Sequence, residues 1–213
     1  MSKRIYLSPS SQPANIYAAG DTNEQTQCRR IALAAAAALE RCGFEVKTNV
    51  RDGKTMYDRV GESNAWDADL HVPIHTNAFN GKLKGTRMFC SSVSGEGGKA
   101  CQAILKALSP VVPGESDNVQ TADFYEITAS NAPCAYCEAA FHDNEAQAKW
   151  IIEHVADIGE AICKGICDYF GIPYVENAPV YRVQVGAFVV KENAERMKEE
   201  LKEKGYDAFI VTA

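Results

Sequence analysis

The sequence predicts an α/β protein: a twisted, mostly parallel or mixed sheet flanked by helices on both faces, followed by a small C-terminal β-α-β unit. Three observations carry this. From Arg4 to Phe170, short runs of branched and aromatic residues alternate with longer amphipathic stretches, and helices between strands imply a sheet covered on both faces. The stretch Gly171-Ile-Pro-Tyr-Val-Glu-Asn-Ala-Pro179 holds two prolines and no period, so it reads as a linker. After it, strand, helix and strand patterns recur once over residues 180–213, close to the minimum size for that motif. The 213 residues are enough for one sizeable domain and a small module, and too few for two full domains.

Each element has its own signal. Arg4–Leu7 is a short strand opening into the polar loop Ser8–Asp21. Thr22 reads as a helix N-cap with Gln25 closing a capping box, and the alanine-rich helix runs to Cys42, where Gly43 stops it. Phe44–Thr48 is a second strand, Thr55 to about Trp66 a helix, and Asp69–His75 a third strand. Gly85–Ser92 is another strand, and Gly95–Leu108 a helix ended by Ser109-Pro110. Phe124–Thr128 and Cys134–Ala139 have the composition of short strands. Between about Asn144 and Phe170, Trp150, Ile151, His154, Val155, Ile158, Ile162 and Ile166 recur near helical spacing, which predicts one long amphipathic helix. Beyond the linker, Tyr181–Gly186 and Tyr206–Val211 read as strands around a charged helix, Lys191–Lys204.

Composition excludes several classes. With 22 Lys+Arg against 28 Asp+Glu, the net charge of −6 argues against nucleic acid, whose binding rests on clustered cations. No apolar run is long enough to span a bilayer; the densest, Ile31–Leu39, is mostly alanine and bounded by Arg30 and Glu40. The start, Met1-Ser-Lys-Arg-Ile-Tyr-Leu, enters a strand pattern directly and lacks the apolar core of a signal peptide, so synthesis in the cytoplasm is expected. Eight cysteines in a chain of this size read as free thiols of a reducing compartment rather than a disulfide framework.

Chemistry in an α/β sheet is sought at the carboxyl ends of the strands. The first strand opens into Ser8-Pro-Ser-Ser-Gln12, with Glu24 starting the helix that follows. The third ends in Pro73-Ile-His75-Thr-Asn77. Cys134-Ala-Tyr-Cys-Glu138 ends in a carboxylate, with Phe141-His142-Asp143-Asn144 just beyond. Glu24, His75 and Glu138 are therefore expected to converge at one edge of the sheet. A histidine and a carboxylate on a divalent metal, with a second carboxylate as base, make a workable hydrolase.

In order and spacing these pieces resemble the zinc-dependent N-acetylmuramoyl-L-alanine amidases of the type 3 family. The matching segments are Glu24-Gln-Thr-Gln-Cys-Arg-Arg-Ile-Ala, Pro73-Ile-His-Thr-Asn-Ala78, Gly85-Thr-Arg-Met-Phe and Glu138-Ala-Ala-Phe-His-Asp-Asn144. The stretch Asp52–Asp69, with Tyr57-Asp-Arg59 and Asn64-Ala, fits as well, so the resemblance covers about residues 4–170. It implies a peptidoglycan hydrolase that cuts the amide between N-acetylmuramic acid and L-alanine, acting on the cell wall after release or lysis. It makes Glu24 and His75 ligands of Zn2+, Glu138 the catalytic carboxylate, and Asn77 a candidate for orienting substrate. The family's third ligand is a histidine in an Asp-Pro-Gly-His loop; here the loop holds none, and the Gln12 side-chain oxygen is the candidate substitute, a weaker donor than imidazole. His142 is another candidate to complete the site. His71 shares a face with His75 but lies about 13 Å away along an extended strand, too far to share an ion. The competing reading is a wall-binding relative that has lost its metal and its catalysis.

The tail, Tyr181-Arg-Val-Gln-Val-Gly-Ala-Phe188 with Asn193-Ala-Glu and Gly205-Tyr-Asp-Ala, resembles the first half of a sporulation-related repeat (SPOR) domain, a peptidoglycan-binding module. This divides the chain into a catalytic domain 1–170, a linker 171–179 and a half-unit 180–213. Half a unit leaves a strand edge and a sheet face uncovered, which predicts a homodimer through residues 180–213. Cys134-x-x-Cys137 and Cys163-x-x-x-Cys167 are read as buried thiols rather than a second zinc site, because 134 and 137 fall on opposite faces of a strand.

Overall fold

Ile5 and Leu7 on one strand, with Leu70, Val72 and Ile74 on another, are all fully buried and belong to one large apolar cluster. They line one face of the six-stranded sheet in the computed structural model, which describes residues 2–177, 184–206 and 208–211. The strands are β1 (Arg4–Pro9), β2 (Glu45–Thr48), β3 (Leu70–Asn77), β4 (Arg87–Cys90), β5 (Gln120–Thr121) and β6 (Tyr136–Phe141), in spatial order β2-β1-β3-β6-β4-β5. All neighbours are parallel except β4 and β6, which run antiparallel. The sheet is therefore mixed, as expected.

The helices are α1 (Glu24–Arg41), α2 (Met56–Ala65), α3 (Glu96–Leu108), α4 (Tyr125–Ala129), α5 (Glu145–Glu153), α6 (Val155–Phe170) and α7 (Lys191–Glu203). Helices α1, α3 and α6 supply the apolar cluster on one face of the sheet, with Cys28, Ile31, Ala32, Ala35, Ala38 and Leu39 recurring at helical spacing along α1. Helix α6 comes close to both its neighbours through glycines: a Cβ on Gly159 would meet Ala34 and Ala35, and one on Gly165 would meet the Ile104 backbone. The chain leaves β1 toward β2 on one side and returns to β3 on the other. That reversal makes the carboxyl ends of β1 and β3 a topological switch point, the place where open α/β sheets bind ligands.

The elements differ from the sequence reading at four places. Asn23, not Thr22, caps α1, its side chain accepting from the Thr26 amide at 2.9 Å; the Thr22 hydroxyl accepts instead from the Gln27 side chain. The expected long helix breaks into α5 and α6 at His154 (φ −115°, ψ 28°). There the imidazole stacks on Trp150 and its Nδ1 lies 2.9 Å from the Trp150 carbonyl oxygen, which also accepts from the His154 amide at 3.0 Å, so the break is a local change of backbone angle with the ladder kept. Phe124–Thr128 is not a strand but leads into the short helix α4, because Glu126 and Ile127 turn inward while Phe124 and Tyr125 stay partly exposed. The two-residue β5 carries no pattern that sequence reading detects.

Residues 1–176 form one compact unit and 177–213 another. Gly171 ends α6 in the left-handed region (φ 65°), and Ile172 and Tyr174 then pack against the apolar cluster. In the second unit α7 forms nearly as expected. Residues 184–188 and 208–211 carry no strand, and the rest of the two expected strands lies outside the described residues. Among the described residues, no helix is long and apolar enough to cross a membrane.

Candidate active site at the carboxyl edge of the sheet

The register of the sheet decides which side chains meet. Tyr6 pairs with His71, Ser8 with Pro73, and His75 with Glu138, so Ser8, His71, His75, Tyr136 and Glu138 share the face opposite the apolar cluster. Glu24 reaches the same place as the first residue of α1, where the helix dipole favours a carboxylate. It is buried, and its Oε1 lies 2.9 Å from His75 Nδ1. Its other oxygen accepts from Asn15 Nδ2 at 2.5 Å. Burial alone would raise the Glu24 pKa, but the contacts with His75, Asn15 and Ser10 hold it below the ordinary value.

Gln12 joins this pair: its Nε2 stands 3.4 Å from His75 Nδ1, and its Oε1 accepts from Asn15 Nδ2 at 3.1 Å. Offering the amide oxygen to a cation therefore requires a half-turn of the amide and gives up the Asn15 bond. On the far side of the imidazole, His75 Nε2 lies 3.5 Å from Glu126 Oε2. Glu126 Oε1 accepts from the Ser8 hydroxyl at 2.5 Å and meets His71 Nε2 at 3.3 Å. The Tyr136 ring stacks on His75 at 4.7 Å and 19°, fixing the plane of the imidazole.

Glu138 sits beside His75, and its Oε2 is sealed from solvent with no hydrogen-bond partner. Burial raises its pKa, His75 opposes this and Glu24 adds to it; the outcome is about 7. His75 goes the other way. Burial would lower it, but Glu126 and Glu24 lift it to about 10, while Glu126 is held down at about 2 by His71 and His75 against its own burial. A proton on His75 thus holds the place of positive charge among three carboxylates.

The structure brings Glu24, His75, Gln12 and Glu138 together, as the sequence suggested. Asn77 is different: the register shift places its extra residue on β6, so Asn77 keeps the face of His75, but its side chain accepts from the Ala78 amide. His142 does not complete the site either. It stacks on Tyr17, and its Nδ1 lies against the Thr76 carbonyl and hydroxyl oxygens. His71 and His75 both meet the one carboxylate of Glu126. Sequence reading misses Glu126, Asn15 and Tyr136. Glu126 sits in a segment whose aromatic and branched composition mimics a strand, and no motif marks it.

The donor set suits a divalent cation. One imidazole and one carboxylate already meet at 2.9 Å, an amide stands beside them, and the orphaned Glu138 oxygen and the surplus of negative charge both favour positive charge at this point.

Comparison with known proteins follows the same lines. Residues 10–168 match the family N-acetylmuramoyl-L-alanine amidase, and residues 177–213 match the SPOR domain. The sporulation-specific N-acetylmuramoyl-L-alanine amidase of Bacillus subtilis (strain 168) is 23% identical over 216 residues, covering 98% of this chain and 84% of that protein. N-acetylmuramoyl-L-alanine amidase CwlM of Bacillus licheniformis is 25% identical, covering 74% of this chain and 62% of its own length. Among solved structures, the catalytic domain of CwlV, an amidase from Bacillus (Paenibacillus) polymyxa var. colistinus, superposes with a TM-score of 0.72 at 16% identity, covering 80% of this chain and 99% of that one. The CwlD amidase from Clostridioides difficile, solved in complex with the GerS lipoprotein, gives 0.67 at 23% identity, with 80% and 99% covered. By sequence over three quarters of its length, and by the fold that carries the site, the chain belongs to the N-acetylmuramoyl-L-alanine amidase family, with a SPOR domain at its C-terminal end.

Proposed function

We propose that the chain is a peptidoglycan hydrolase that cleaves the amide between N-acetylmuramic acid and L-alanine, with Glu138 as general base and acid and Zn2+ held by Glu24, His75 and Gln12. The observation that supports this reading most is the pairing of Glu138, whose Oε2 is sealed without a hydrogen-bond partner, with the Glu24–His75 contact across one strand register. The family is metal-dependent, and a bound zinc ion would supply Lewis acidity, lowering the pKa of water toward neutrality. Glu138, free of hydrogen bonds, accepts the proton of the attacking water and returns it to the leaving amine of L-alanine. Glu126 and Ser8 hold His75 from its Nε2 side, Tyr136 holds its plane, and Asn15 holds Glu24 and the Gln12 loop together. Partly exposed Phe124 and Tyr125 border the site on α4 and offer apolar surface to a glycan or peptide.

His75→Ala and Glu24→Ala should each lose zinc and turnover together, read by metal analysis of the purified protein and by release of L-alanine amino groups from cell walls. Full zinc and full turnover in either variant would reduce that residue to a packing role. Gln12→His should raise zinc affinity, since imidazole is the better donor. A second reading, a wall-binding relative without catalysis, is favoured by Gln12 turning its amide nitrogen toward His75. Zinc near stoichiometry with clearing of a cell-wall suspension supports the enzyme; absence of both supports the binder.

The SPOR match supports peptidoglycan as the ligand of the tail. With the chain divided into 1–170, 171–179 and 180–213, the half-unit is proposed to pair as a homodimer, giving two wall contacts per assembly. Light scattering should find a dimer for the whole chain and a monomer for a version ending near Phe170. Two monomers would remove the pairing.

A further inference from the structure

The last turn of α1 and the middle of α6 bring three thiols together far from the site above. Cys42 Sγ lies 3.7 Å from Cys163 Sγ, which lies 3.9 Å from Cys167 Sγ, and all three sulfurs fall within 4.8 Å of one another. Cys163 and Cys167 are fully buried, and Cys42 keeps 9% exposure at the rim. We propose that Cys42, Cys163 and Cys167 form a trithiolate site for a thiophilic divalent cation, Zn2+ by chemistry, independent of the carboxylate–histidine centre.

The spacing is the first argument. Three sulfurs on a tetrahedral zinc, each about 2.3 Å from the metal, stand about 3.8 Å apart; two of the three separations, 3.7 and 3.9 Å, bracket that figure, and the third is within 4.8 Å. The second is the surroundings. The Val175 amide donates to Cys42 Sγ at 3.3 Å, the kind of hydrogen bond that supports a metal-bound thiolate. Charge is the third. Binding replaces three S–H bonds with three S–metal bonds and releases three protons to solvent, leaving one net negative charge in the core. The Arg41 guanidinium, bonded to the Val175 carbonyl at 2.9 Å and to Glu160 at 2.6 Å, lies at the rim to offset it. Access runs along residues 172–176, where Val175 is half exposed.

Sulfur-to-metal charge transfer separates this site from the carboxylate–histidine centre, because Glu24, His75 and Gln12 contain no sulfur, and the substitutions below separate it from the other thiols. Reduced, chelator-treated full-length protein titrated with Cd2+ should develop that absorption and saturate at about one equivalent of thiolate-bound ion. A folded Cys42→Ala/Cys167→Ala variant should lose the band, and Cys101→Ala should keep it. On the unsubstituted chain, Zn2+ should slow alkylation of Cys42 at least ten-fold, read by mass mapping. No charge-transfer band in the folded wild type, a band that survives the double substitution, or Cys42 alkylation indifferent to Zn2+ would each overturn the proposal. Wall cleavage plays no part in these readouts, so failure here leaves the amidase reading intact, and the converse holds.

Discussion

Glu138→Gln should give a folded chain that keeps its zinc but releases L-alanine amines from peptidoglycan at least about a hundred-fold more slowly, the loss expected for a positioned acid–base group. The Glu138 Oε2 is buried without a hydrogen-bond partner, so the substitution removes no structural bond from that oxygen. Stability should respond in the opposite sense. In the metal-free protein the Glu138 pKa is about 7 against a reference of 4.5. The folded state therefore holds this proton more tightly than the unfolded one. Its contribution is fully present below about pH 4.5 and is lost as pH rises through about 7. Wild-type protein should lose on the order of 3 kcal/mol across that interval from this group, since each tenfold difference in proton affinity between the two states is worth about 1.4 kcal/mol. The Gln variant should not. Urea unfolding of both chains at pH 5 and pH 8, without metal, should show the Gln variant gaining on the wild type at the higher pH. Parallel curves would mean that Glu138 is already ionised in the fold, and near-wild-type turnover by the zinc-loaded variant would remove it from the mechanism.

How much of this is legible in the sequence depends on where each residue sits. Glu24 opens α1 and His75 lies near the end of β3, positions that pattern reading locates well, and Glu138 lies midway along β6. Their meeting then follows from parallel pairing in register. Asn77 lies two residues beyond His75, and strand alternation places it on the same face. It does lie there, the extra residue of the register shift being on β6, but its oxygen turns back to the Ala78 amide, a local bond that strand alternation does not reveal. The break in the long helix is hidden because Trp150 and His154 keep helical spacing, and only the backbone angles of His154 depart from the helix. Glu126 leaves no mark because α4 is five residues long, too short for a period, and its strand-like composition is overridden by the burial of Glu126 and Ile127. The three thiols are buried, as helix spacing and residue type indicate, but nothing along α6 hints that the end of α1 brings Cys42 to them.

Glu126→Ala should destabilise the metal-free protein by about 3–5 kcal/mol, the range for removing one partner of a buried ion pair. Glu126 is the common acceptor for Ser8, His71 and His75, all of them buried, and no other carboxylate faces His75 Nε2 among the described residues. Two titrations set the window. The Glu126 pKa, lowered to about 2, contributes stability that is present above about pH 4.5 and lost as pH falls through 2. The His75 pKa, raised from 6.5 to about 10, contributes stability that is present below 6.5 and lost as pH rises through 10. Both are fully present between about pH 4.5 and 6.5, so the cost of the substitution should peak there and shrink toward either extreme. The metal should feel the change as well. A carboxylate behind a ligating histidine fixes its ring and raises its basicity, and losing it typically costs 10–100-fold in metal affinity. Glu126→Gln, which keeps an acceptor for Ser8 but not the charge, should fold more stably than the Ala variant and still bind zinc more weakly than the wild type. Denaturation against pH and zinc titration of the three chains would test both halves. A flat pH profile would mean that Glu126 and His75 do not form an ion pair, and unchanged zinc affinity would mean that His75 is held in place by Tyr136 and Glu24 without help from Glu126.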